Sequence, residues 1–128
     1  MMQYKKHFTI EEAQQILAQI RPQVETILRL KRQLDRLSYD PYQKRYTIAH
    51  LDSIKPYPRA MEELVHIVTE LHDRGIIVKG LDEGLIDFPH VRSGGEEVYL
   101  CWKAGESALK FWHKLQDGFA GRKPLNEI

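Results

Sequence analysis

From residue 9 the chain reads Thr-Ile-Glu-Glu, and apolar residues then recur at intervals of three, four and seven as far as Leu37. Thr9 and Glu12 have the form of a capping box, in which the hydroxyl accepts from the Glu12 amide and the carboxylate reaches back to the Thr9 amide. The stripe behind it, Ala13, Ile16, Leu17, Ile20, Val24, Ile27, Leu28, Leu34 and Leu37, lies on one helical face. Gln14, Gln15, Gln19, Glu25, Arg29, Arg32 and Arg36 take the other face. A helix this long must be covered by something, and that requirement shapes the rest of the fold. Pro22 interrupts the run, removing one hydrogen bond at a cost of ~3 kcal/mol. Because the apolar phase continues through it, the sequence predicts a kinked helix over about 10–37 in preference to two helices meeting at Arg21-Pro22.

Ser38-Tyr39-Asp40-Pro41 ends that helix. Residues 41–57 show no clean period; Tyr42, Tyr46, Ile48, Leu51 and Ile54 would allow a turn or two of helix. Pro58 suits the first turn of a second helix. Its apolar side is Met61, Leu64, Val65, Val68 and Leu71, and Gly75 stands where a left-handed cap is needed.

After Gly75 the period changes to that of strands. Residues 76–78 are β-branched, Asp82-Glu83-Gly84 is a turn, and residues 85–88 form a second short run. Ser93-Gly94-Gly95-Glu96 is a hairpin signal. Residues 97–102, EVYLCW, make the strongest strand, with Val98, Leu100 and Trp102 on one face and Tyr99 and Cys101 on the other. Residues 109–113 are a fourth candidate, with a helix as the competing assignment, and the tail GFAGRKPLNEI reads as a loop. The expected architecture is α+β: an N-terminal helical hairpin (about 9–74) packed on a small antiparallel sheet of three to four strands (about 76–125), in one domain over 1–128.

Composition narrows the function classes. With a single cysteine, Cys101, no intrachain disulfide or multi-cysteine zinc site can form. No signal peptide and no membrane-length apolar run are visible, so a cytoplasmic protein without a membrane partner is expected. Net charge is +1, but residues 1–45 carry nine Lys/Arg against five Asp/Glu. The excess centres on 29–45, making nucleic-acid binding a minor alternative to a solvated helix face.

Chemistry-bearing groups concentrate between residues 84 and 122. A two-residue turn at Gly94-Gly95 would pair Asp87 with Trp102, Phe88 with Cys101 and His90 with Tyr99. Asp87 would then sit in the apolar neighbourhood of Leu100 and Trp102 and need a partner, for which Lys110, His113 and Arg122 are candidates. One reading makes this an active site: Asp87 and Glu106 for acid–base work, His113 as proton shuttle, Arg122 binding an anion, with Trp102 and Trp112 lining the ligand. The plainer one has Asp87 capping a turn, Arg122 pinning the C-terminal loop through a salt bridge, and His113 donating to a backbone carbonyl. Asp87, His90, Cys101 and His113 offer four metal-ligand types, but their spacing fits no compact motif, and this register turns Cys101 away from Asp87. No metal is therefore predicted, Cys101 and His113 being weak candidates. No cofactor can be named. His66 and His72, six residues apart, read as surface residues.

The segment from Gly75 to Pro124 resembles the signature of a bacterial family catalogued as domain of unknown function 2203. The matching blocks are GIIVK at 75–79, GLIDFP at 84–89, GEEVYLCWKAGE at 95–106, Trp112-His113 and GFAGRKP at 118–124. FTIEEAQQILAQIRP resembles the family's opening helix; residues 38–57 lie outside the resemblance. The resemblance implies a fold and a bacterial cytoplasmic setting, carries no activity with it, and marks Asp87, Cys101, Trp102, Glu106, Trp112, His113 and Arg122 as motif positions. His90 is not among them. Two functions follow as expectations: an interaction or structural protein, dimeric if the stripe of the first helix exceeds what a small sheet covers, or a small enzyme or ligand-binding protein for a small molecule.

Overall fold

The computed structural model describes residues 2–47 and 58–128. The first helix, α1 (Ile10–Arg36), begins at the capping box: Thr9 Oγ1 accepts from the Glu12 amide at 3.0 Å, and the Thr9 amide donates to Glu12 Oε1 at 3.0 Å. It runs through Pro22 as one helix, so the two-helix alternative does not hold. Ile20, Val24 and Ile27 are fully buried on either side of the proline. Each such burial is worth roughly 1.5–3 kcal/mol, more in sum than the ~3 kcal/mol the proline costs. Leu37 caps the helix end and is exposed, while Leu30 and Lys31 are buried in its place. Lys31 reaches Asp35 at 2.6 Å and Asp82 at 2.9 Å, which fastens the helix to the turn before the second sheet strand.

A short antiparallel hairpin follows, β1 (Tyr39–Asp40) with β2 (Arg45–Tyr46), in place of a helical turn at Tyr42 and Tyr46. Asp40 Oδ1 accepts from the Tyr42 and Gln43 amides and closes its turn. Ile48, Leu51 and Ile54, the other positions of that helical expectation, lie outside the described residues. The second helix, α2 (Arg59–Asp73), has Pro58 at its N-cap, one position before the predicted first turn. It ends on Gly75 at φ +86°, with Ile76 N donating to Leu71 O and Gly75 N to His72 O. This is the double bond of a Schellman cap, as the glycine implied.

The main sheet is a five-stranded antiparallel meander in sequence order: β3 (Ile77–Gly80), β4 (Leu85–Val91), β5 (Glu97–Lys103), β6 (Phe111–Lys114) and β7 (Lys123–Pro124). The three to four predicted strands fall short because β7 arises from the glycine- and proline-bearing tail, where two residues carry no readable period. The 109–113 segment is strand, starting at Phe111, not helix. Ile86, Phe88, Val98, Leu100, Trp102 and Trp112 face the helices and share one core cluster with Leu17, Ile20, Ile27, Leu64 and Leu71. Most of the apolar stripe of α1 is covered within the chain: Ala13, Leu17, Ile20, Val24, Ile27 and Leu34 are buried, Ile16 and Leu28 are half-buried, and Leu37 is exposed. Among the described residues, no helix is long and apolar enough to cross a membrane.

Candidate functional site

The β4–β5 connection decides what stands on the other face of the sheet. Arg92 N donates to Glu96 O at 2.8 Å and Gly95 N to Arg92 O at 2.8 Å, leaving a three-residue loop, 93–95, with Gly95 at φ +96°. A left-handed glycine closing a three-residue loop is a common hairpin form. The ladder consequently pairs Asp87 with Cys101, Phe88 with Leu100 and His90 with Val98. This is one residue away from the register expected of a two-residue turn, and a slip of one exchanges the faces. Asp87 thus lies beside Cys101, not beside Trp102 and Leu100, and the objection that Cys101 faces away from Asp87 falls.

Three strands converge there. Asp87 comes from the middle of β4, Cys101 from β5, and His113 from β6, where it pairs with Tyr99. They are 1%, 0% and 3% exposed. His113 Nε2 is 3.2 Å from each carboxylate oxygen of Asp87. His113 Nδ1 is 2.9 Å from the Lys114 carbonyl, which can only accept, so Nδ1 carries a proton. One ligand atom each from Asp87, Cys101 and His113 can be chosen such that all lie within 4.8 Å of one another.

The surroundings set the charges. Burial draws the His113 imidazole down, but the facing Asp87 carboxylate outweighs it and raises the pKa, favouring the imidazolium. Burial, reinforced by the Asp87 charge and hydrogen bond, pushes the Cys101 thiol well up, so it is protonated. Tyr99 lies against the His113 ring at 5.2 Å between centroids, with Lys79 Nζ 4.6 Å from its own ring. Its hydroxyl is hydrogen-bonded to that of Tyr4, whose pKa burial and this neighbour push up to about 12. Tyr4 belongs to an N-terminal arm held by Glu97, which accepts from the Gln3 and Tyr4 amides and meets His7 Nε2 at 2.7 Å.

Glu106 and Arg122 form a second pair at the edge of this face. Arg122 Nη2 is 2.6 Å from Glu106 Oε2, while Glu106 Oε1 accepts from the Lys103 amide at 2.7 Å. The guanidinium stacks on Phe111 at 3.9 Å and on Phe119 at 4.5 Å. Phe111 pairs with Cys101, which puts the stack on the Asp87 face. Arg122 Nε is buried with no hydrogen-bond partner among the described residues.

Other predicted site residues are elsewhere. Trp102 and Trp112 are buried on the helix-facing side; their indole N–H groups donate to Glu106 O and Pro124 O. Neither lines the cluster. His90 is also on that side, donating to Phe8 O at 2.7 Å, and Lys110 is exposed. His66 and His72 are surface residues. Of the basic segment, Lys31 is committed to Asp35 and Asp82, while Arg29, Arg32 and Arg36 are solvated. Sequence reasoning passed over Tyr99, Lys79 and Tyr4. Two of them had a visible signal: Tyr99 alternates with Cys101 along β5, and Lys79 closes the GIIVK block.

The sequence model of a family described as "Uncharacterized conserved protein (DUF2203)" matches residues 6–125. No curated protein and no solved structure matches the chain.

Proposed function

The chain belongs to the DUF2203 family, and from the geometry of its sheet we propose that it is a small ligand-binding protein whose centre is Asp87, Cys101 and His113, with the Glu106–Arg122 pair at the edge of the same sheet face. One observation carries this reading: a carboxylate–imidazole pair and a thiol, all 3% exposed or less, occupy the sheet face that the helices do not need.

Such a pair is a poor device for stability. Desolvating two charges costs several kcal/mol per ion, and exchanging a buried pair for apolar side chains is often neutral or stabilising. Ile77 and Phe111 stand on the same face and show that apolar residues fit it. Titratable groups whose properties are shifted by burial and by one another are characteristic of working sites. The plainer roles do occur: Arg122 is salt-bridged and His113 donates to a carbonyl. Neither explains why Asp87 meets His113 beside Cys101.

Native mass spectrometry of the gently purified full chain tests the proposal. A retained mass beyond that of the polypeptide is expected, lost in Asp87→Asn and His113→Gln. A bare polypeptide in every preparation, with an Asp87→Leu/His113→Leu variant markedly less stable than the wild type, so that the pair serves the fold, contradicts it.

A further inference from the structure

We infer that the ligand of this centre is a divalent transition-metal ion of the zinc class, bound by an Asp87 carboxylate oxygen, Cys101 Sγ and His113 Nε2. The inference rests on the ligand-binding reading above and deepens it.

The donor set is the first support. Carboxylate, thiolate and imidazole are the three ligand types that zinc takes, at about 2.0–2.3 Å, and tetrahedral bonding at those lengths sets ligand atoms roughly 3.3–3.6 Å apart. The His113–Asp87 separation is already 3.2 Å, and all three ligand atoms fall within 4.8 Å. Loading therefore asks for a contraction of only about an ångström at the widest. All three come from the interiors or ends of paired strands, whose ladder fixes their spacing.

The orientation of His113 is the second support, and it is independent of the spacing. A ligating histidine normally donates its other ring N–H to a carbonyl or carboxylate, which fixes the tautomer. His113 Nδ1 does this to Lys114 O at 2.9 Å, so deprotonation leaves the lone pair on Nε2, the nitrogen aimed at the cluster.

Charge balance among the bound species is the third. An Asp87 carboxylate, a Cys101 thiolate and a neutral His113 imidazole sum with a divalent ion to zero, and the neighbouring Arg122 and Glu106 charges already cancel each other. A soft thiolate beside imidazole selects against Mg²⁺ and Ca²⁺. Three protein ligands leave a coordination position for an exogenous group.

The test uses the full chain stripped by chelator and titrated with Co²⁺ and then Zn²⁺. One Co²⁺ per chain is expected, with a thiolate-to-cobalt charge-transfer band that Zn²⁺ abolishes. Cys101→Ser and His113→Gln should weaken binding beyond the roughly 10–100-fold that loss of an outer partner costs. His66→Gln, on the surface of α2, should change nothing. Because those variants alter a buried cluster, X-ray absorption at the zinc edge of the wild-type chain gives a second reading, expected to show one sulfur at about 2.3 Å. Absence of the charge-transfer band, or a zinc shell of nitrogen and oxygen alone, overturns the metal assignment. An organic mass retained on the chain without metal overturns it while leaving the ligand-binding reading standing; a bare chain that takes up no Co²⁺ overturns both.

Discussion

Asp87 stands directly across from Cys101 in the β4–β5 ladder. That pairing places a carboxylate and a thiol side by side and lets β6 bring His113 Nε2 to 3.2 Å from the same carboxylate. Had the hairpin closed on two residues, Asp87 would have gone into the helix-facing core, and no such cluster would exist.

The Asp87–His113 pair should behave as coupled buried charges. His113→Leu or Asp87→Leu alone leaves one polar partner stranded and should cost about 3–5 kcal/mol. Asp87→Leu/His113→Leu should cost much less than the sum of the two singles. Urea denaturation of the wild type, both singles and the double closes the cycle. Additive losses would mean that the two side chains act independently.

Gly84 is the glycine whose replacement should matter most for joining helix to sheet. It has φ +64°, and a Cβ there would lie 2.7 Å from the Ala104 Cβ and 3.1 Å from a Val24 methyl. Gly84→Ala combines left-handed strain, roughly 1–2 kcal/mol, with a clash between α1 and the end of β5. Gly94, with nothing within 4 Å of the added atom, is the control. Thermal unfolding should separate the two variants clearly, with Gly94→Ala close to wild type.

The N-terminal arm should be acid-labile. Burial alone would raise the Glu97 carboxyl, but the His7 ring and the Gln3 and Tyr4 amides outweigh it and hold it below the usual range of a glutamate. A depressed folded pKa contributes stability that is complete above the unfolded value and lost as pH falls through the folded one. Protection of the Gln3 and Tyr4 amides, taken relative to their intrinsic exchange at each pH, should therefore be high above about pH 4.5 and fall below it. Glu97→Gln should show fast exchange with no such step; an unchanged step in that variant would point to another group.

Much of this architecture could be read from residues. Thr9 and Glu12 announced the start of α1, Gly75 announced the end of α2, and the alternation of 97–102 announced β5. What escaped had physical reasons. Ser-Gly-Gly accommodates both two- and three-residue loops, because glycine adopts either sign of φ, so the register stayed open and with it the face of Asp87. Lys31 is apolar along most of its length and can be buried if its amine finds carboxylates, which here include one 51 positions away. β1, β2 and β7 have two residues each, too short to show alternation. The gathering of Glu106 and Arg122 near Cys101 depends on the tail folding back along β6, a long-range pairing that local pattern does not encode.

Crystals of the full chain grown with Zn²⁺, with diffraction recorded on both sides of the zinc absorption edge, test the convergence of Asp87, Cys101 and His113 most directly. The expected result is a single anomalous peak within bonding distance of an Asp87 oxygen, Cys101 Sγ and His113 Nε2. A map without a peak at that position, with Cys101 Sγ on the helix-facing side of the sheet and away from the Asp87 carboxylate, would contradict it.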